Sequence, residues 1–119
     1  MAKGTVLLVD DEQNILKTMA ICLESIGFEV TAFLNPLQAL DALRERTFDL
    51  AFIDLKMQPI DGLQVLKEAR QQSPRTTVVL MTAHGSVESA VEAMKLGAHD
   101  YLQKPFEFSE LQHFAEKVY

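Results

Sequence analysis

Short apolar runs alternating with helical periodicities constrain this chain more than any other feature. Thr5-Val6-Leu7-Leu8-Val9 and Leu50-Ala51-Phe52-Ile53 are unbroken stretches of strand-forming residues, and each stops at a carboxylate, Asp10 or Asp54. Thr76 to Thr82 is a third such run, β-branched at its start. Runs this short and this apolar suit the middle of a parallel sheet, where helices cover both faces. Phe28 to Phe33 and Asp100 to Gln103 read as two further, shorter strands.

Between the runs the period changes to that of a helix. Ile15, Leu16, Met19, Ala20, Leu23 and Ile26 recur at three- and four-residue steps and stop at Gly27. Asn35 is the expected N-cap of a second helix and Pro36 its first residue, with Leu37, Leu40 and Leu43 as the apolar stripe. A third helix starts near Gly62, carries Leu63, Leu66 and Ala69, and ends at Ser73-Pro74-Arg75. Ser86 is the expected cap of a fourth, whose apolar face reads Val87, Ala90, Val91 and Met94 before Gly97. Leu111, Phe114, Ala115 and Val118 mark a fifth. Parallel neighbours need crossover connections, and right-handed ones leave few topologies. The expected fold is α/β: a flavodoxin-like, doubly wound, five-stranded parallel sheet of order 2-1-3-4-5 with five helices. Residues 1–119 make one domain of ordinary size.

Composition narrows the function. A net charge of −6 argues against direct nucleic-acid binding, which needs Lys and Arg to neutralise phosphates. Cys22 is the only cysteine, so it has no disulfide partner and no metal-type spacing; a packing role on a helix is expected. No apolar stretch reaches the length of a membrane span, and Met-Ala-Lys-Gly runs into a strand without a signal-peptide core. A soluble, cytoplasmic domain is the expectation.

The acids at the strand ends are the candidate chemistry. In the 2-1-3-4-5 order the first and third strands are neighbours, and ligands collect at the carboxyl ends beside that switch point. Asp10, Asp11 and Asp54 then converge, and their mutual repulsion calls for a cation. Oxygen ligands favour a hard divalent ion, Mg²⁺ above all. Thr82 and Lys104 end the fourth and fifth strands on the same rim. A hydroxyl and an ammonium facing such a cluster suit a phosphoryl group, whose charge they share with the ion.

Leu7-Leu8-Val9-Asp10-Asp11-Glu12, Asp54 with Met57 and Asp61-Gly62, Thr82-Ala83 and Lys104-Pro105 carry a resemblance that covers essentially the whole chain. It resembles the receiver domain of bacterial two-component response regulators. The resemblance implies that Asp54 accepts a phosphoryl group from a phosphohistidine on a sensor histidine kinase. It implies that Asp10, Asp11 and Asp54 hold Mg²⁺ together with the backbone carbonyl of Lys56, and that Thr82 and Lys104 contact the phosphoryl group. Tyr101 matches an aromatic whose rotation accompanies activation. The stretch from Thr82 to Phe106 is similar to receivers of the nitrogen-regulation type, which control sigma-54-dependent activator ATPases. The chain is then expected to be the N-terminal part of a longer regulator, with ATPase and DNA-binding domains outside it. The face of the fourth helix, fifth strand and fifth helix is the expected regulated surface and homodimer contact.

One departure from the family pattern and three rival readings accompany this. The usual proline four residues after the acceptor is Gln58 here, followed by Pro59, so a changed loop shape with intact chemistry is expected. A flavin-binding module needs a phosphate loop after the first strand, where Asp10-Asp11-Glu12 would repel the ligand. A phosphohydrolase with an aspartyl nucleophile shares the acyl-phosphate chemistry but needs a cap domain or substrate pocket. A degenerate receiver that only binds partners is at odds with the full set of functional side chains. His84, His99 and His113 lack ligand spacing; His84, two residues past Thr82, is placed to tune water access. The domain is expected to be phosphorylated as a signal rather than to act as an enzyme.

Overall fold

The computed structural model describes residues 3–83 and 87–119. Its elements are β1 (Thr5–Val9), α1 (Gln13–Glu24), β2 (Glu29–Phe33), α2 (Pro36–Glu45), β3 (Leu50–Asp54), α3 (Gly62–Gln72), β4 (Thr77–Thr82), α4 (Val87–Lys95), β5 (Asp100–Gln103) and α5 (Phe108–Val118). The strands form one parallel sheet in the order β2-β1-β3-β4-β5, as the alternation of periods predicts. Every strand lies within a residue of its expected place.

Side chains on the central strands alternate between two cores, as the pleat requires. Leu7, Val9, Ala51, Ile53, Val78 and Leu80 pack with α2, α3 and Ala93 of α4. Val6, Leu8, Phe52, Val79 and Met81 pack with α1 and α5. Leu50, Phe52 and Ile53 of β3 are each 1% exposed or less, and a fully buried large apolar side chain stabilises by about 1.5–3 kcal/mol. The strand that ends in Asp54 is therefore firmly anchored. Parallel register brings the strand ends to one rim: Val9 stands beside Ile53, Asp54 beside Met81, and Thr82 beside Gln103.

Local signals set the helix ends. Asn35 caps α2 through its side-chain oxygen, which accepts the Leu37 N–H, and Pro36 follows in the first turn. The turns after α1 and α4 pass through Gly27 and Gly97 at φ +103° and +101°. There the N–H groups of Phe28 and Ala98 reach back to the carbonyls of Leu23 and Ala93. Cys22 is buried, and its thiol lies 3.4 Å from the Phe108 carbonyl. Burial holds that thiol above its usual pKa and so in the neutral form.

Two apolar stripes face differently from the sequence expectation. On α2 the buried residues are Pro36, Ala39, Ala42 and Leu43, and Leu40 packs against the core as expected, while Leu37 is 45% exposed. On α4 the buried residue among those described is Ala93, and Val91 and Met94 are 46% and 49% exposed. Both helices have apolar residues on two faces, and the small alanines let the helix axis lie close to the sheet. Periodicity alone does not say which apolar face turns inward. The expected cap Ser86, Gly85, His84 and the Val87 side chain lie outside the described residues.

Candidate functional site

The rim at the carboxyl ends of the strands holds the acids. Asp10, just past β1, is fully buried; its Oδ1 accepts the Glu12 N–H at 3.0 Å. Asp11 and Glu12 follow in the exposed loop, and oxygens of Asp10, Asp11 and Glu12 lie within 4.8 Å of one another. Glu12 is the addition here: it belongs to the same acidic run, and adjacency in sequence was the signal for it. Asp54 stands outside that group and is joined to it by a cation. Lys104 Nζ donates to Asp10 Oδ2 at 2.6 Å and to Asp54 Oδ1 at 3.3 Å. Its side chain is only 10% exposed and that of Asp54 9%, so these contacts are largely shielded from solvent.

The backbone holds each member in place. The Lys104 N–H donates to the carbonyl of Thr82, tying the β5 exit to the end of β4. Thr82 itself is buried, at 1% exposure. Beyond Asp54, the Leu55 N–H donates to Met81 O, and the Gly62 N–H to Leu55 O, both at 2.8 Å. Asp61 and Gln64 form a capping box at the start of α3. The loop that carries Lys56, Gln58 and Pro59 is thus pinned at both ends; those three residues are exposed, and the Gln58–Pro59 bond is cis. Tyr101 is half-buried in β5, beside Leu80 of β4.

Gly62 is required by contact with the acceptor strand. A Cβ there would run into the Asp54 carbonyl oxygen and lie 2.8 Å from Leu55 Cα, neither of which can move cheaply. Gly62→Ala is expected to destabilise the fold by about 1–3 kcal/mol, the usual range for overpacking, and to shift the Asp54 and Leu55 amide resonances. Unchanged denaturation and unchanged resonances would contradict the contact.

Electrostatics make Asp54 the unusual carboxylate. Its pKa is pushed up to about 6, first by burial and then by the charge of Asp10, while Lys104 pulls it back. At neutral pH it is mostly ionised and still basic enough to act as a nucleophile. For Lys104, burial alone would lower the pKa, but the hydrogen bond and charge of Asp10, joined by Asp54, outweigh it and hold the ammonium protonated. Asp10, Asp11, Glu12 and Asp54 set against the one ammonium of Lys104 leave three negative charges. The oxygens of Asp10, Asp11 and Glu12 are all hard donors, a set that fits a divalent cation of the Mg²⁺ kind.

Comparison with known proteins finds likenesses over nearly the whole chain. Residues 6–116 match the family model described as the response regulator receiver domain. The alginate biosynthesis transcriptional regulatory protein AlgB of Pseudomonas aeruginosa is 44% identical over 115 residues, 97% of this chain and 26% of that protein. The DNA-binding transcriptional regulator NtrC of Escherichia coli is 38% identical over 118 residues, 99% of this chain and 25% of that protein. The chain spans about a quarter of the length of these relatives. Among solved structures, the BeF3-activated DrrB receiver domain superposes with a TM-score of 0.90 at 28% identity, covering 99% of this chain and 97% of that one. NtrX of Brucella abortus, solved with ADP, gives a TM-score of 0.90 at 37% identity, covering 99% of this chain and 27% of NtrX.

Proposed function

The chain belongs to the response regulator receiver domain family, and on that premise we propose that Asp54 accepts a phosphoryl group from a histidine of a sensor kinase. One arrangement carries the reading: Lys104 lies between the carboxylates of Asp10 and Asp54, with buried Thr82 at the adjoining strand end. The Asp54 carboxylate attacks phosphorus, the N–P bond of the phosphohistidine breaks, and the imidazole nitrogen leaves with the bonding pair. Lys104 exchanges carboxylate contacts for a phosphoryl oxygen, and the Thr82 hydroxyl donates to another. Mg²⁺, held by Asp10, Asp11 and Asp54 with the main-chain carbonyl of Lys56, would supply neutralisation of the incoming charge. Glu12 adds negative charge beside that set. The domain is a signalling module that promotes its own phosphorylation and dephosphorylation.

The output runs through the α4–β5–α5 face. Phosphorylation draws Thr82 inward and frees space for Tyr101 to turn. Support comes from α4, which buries Ala93 but leaves Val91 and Met94 exposed, an apolar surface open to a partner. That face is the site of a homodimer contact and of control over a sigma-54-dependent activator ATPase. The receiver, residues 1–119, is the N-terminal part of that longer regulator. A cytoplasmic location follows from the kinase partner, and no helix among the described residues is long and apolar enough to cross a membrane.

Two measurements test the proposal. Incubation with acetyl phosphate and Mg²⁺, followed by intact-mass measurement, should add one phosphoryl group to the wild type and none to Asp54→Asn. A variant modified as fast and as fully as the wild type would overturn the assignment. Beryllofluoride should shift amide resonances between Ala83 and Phe106 and change the sedimentation coefficient. Shifts confined to the acid rim, with unaltered sedimentation, would place the output on another face.

A further inference from the structure

The end of the sheet opposite the acids holds a second charged hollow, of the other sign. The α3–β4 connection and the α4–β5 turn border an open hollow of about 400 Å³, lined largely by polar atoms of Arg70, Arg75, Thr76, Thr77, Gly97 and His99. Arg70 is fixed within it. Its Nη1 donates to the Thr76 carbonyl at 2.9 Å, and its stem lies against Gly97, where a Cβ would come within 3.2 Å of Nε, Cδ and Cγ. Arg75 and His99 stand exposed beside it. Among the described residues none of the three forms an ion pair. The acids at the adjoining strand starts, Asp49 and Asp100, turn carboxylate oxygens onto the N–H groups of Thr5 and Tyr101. The carboxyl end of α3 carries partial negative charge, which Arg70 in its last turn offsets. Arg75 brings a second guanidinium to the hollow and His99 an imidazole.

We propose that Arg70, Arg75 and His99 form an anion-binding site that takes a small phosphate-class anion, free or as a phosphate monoester. A guanidinium already held in place matches the paired oxygens of such an anion and loses little freedom on binding it. Occupancy ties the α3–β4 connection to the Gly97 turn at which α4 ends, so a ligand here bears on the position of α4. The site is separate from the acid rim and stands whether or not Asp54 is phosphorylated.

Titration of the metal-free protein with inorganic phosphate or phenyl phosphate, at constant ionic strength against chloride, tests this by amide resonances. Saturable shifts are expected at Thr76, Thr77, Ala98 and His99, unchanged in Asp54→Asn. Arg75→Gln, at an exposed position, and Arg70→Lys should each weaken binding up to about fivefold, the scale of a solvent-exposed charge pair. Tighter binding of phenyl phosphate would identify a phosphorylated compound as the ligand, and equal binding would show that the phosphate group suffices. Shifts that do not saturate, that chloride reproduces, or that persist undiminished in the folded double variant would overturn the site.

Discussion

Asp54→Asn is expected to abolish phosphorylation and, at the same time, to stabilise the metal-free domain at neutral pH. The sign follows from the pKa. Folding raises the Asp54 pKa from 3.8 to about 6, so the folded state prefers the protonated form. The group's contribution is fully present below the unfolded pKa and is lost as pH rises through the folded one. A shift of about two units corresponds to roughly 3 kcal/mol lost across that window. Asn is neutral at every pH and escapes the loss. The variant should therefore melt higher at neutral pH, by on the order of 10 °C for a domain of this size. The gap should close as pH falls towards 4. Equal melting temperatures and equal pH slopes in metal-free buffer would show that Asp54 is not destabilised by its surroundings.

Lys104→Met should act in the opposite direction. It removes the partner of Asp10, which is fully buried, and of Asp54, leaving charges in a shielded place without compensation. Breaking a buried pair from one side costs about 3–5 kcal/mol. The deficit should be largest at neutral pH and shrink on acidification, because protonating the carboxylates removes the charge that lost its partner. A divalent cation should restore part of the stability by the same logic, since it replaces the missing positive charge. Denaturant titrations of the variant with and without Mg²⁺ check this. A variant as stable as the wild type without metal would mean that Lys104 does not offset the acids.

The strands and the rim were legible because their signals are local and unambiguous. Runs such as Thr5 to Val9 and Leu50 to Ile53 admit one reading, and each ends in a carboxylate. Once the order 2-1-3-4-5 follows, parallel register sets Asp10, Asp54, Thr82 and Lys104 on one rim without further information. The helix faces were harder. On α4 the sequence shows apolar residues at Val91 and Met94 as well as at Ala93, and only packing against the sheet selects Ala93. Leu37 on α2 is misread for the same reason. The Lys104 bridge was legible as proximity but not as geometry, because its contacts span 94 and 50 residues of sequence. Arg70 under Gly97 leaves no periodic trace at all. A glycine at positive φ reads as a helix stop whether or not a guanidinium lies against it.

The central claim is that Asp54 carries the phosphoryl group. The most direct measurement is chemical location of the modified residue after reaction with acetyl phosphate and Mg²⁺. Borohydride reduces an aspartyl phosphate to homoserine and leaves free carboxylates and phosphoesters alone, so peptide mass spectrometry can read the position. Homoserine is expected at position 54, its yield rising with Mg²⁺ and vanishing with a chelator. Homoserine at Asp10 or Asp11 instead, 5-hydroxynorvaline at Glu12, or a stable phosphoester on Thr82 with no reducible site, would contradict it.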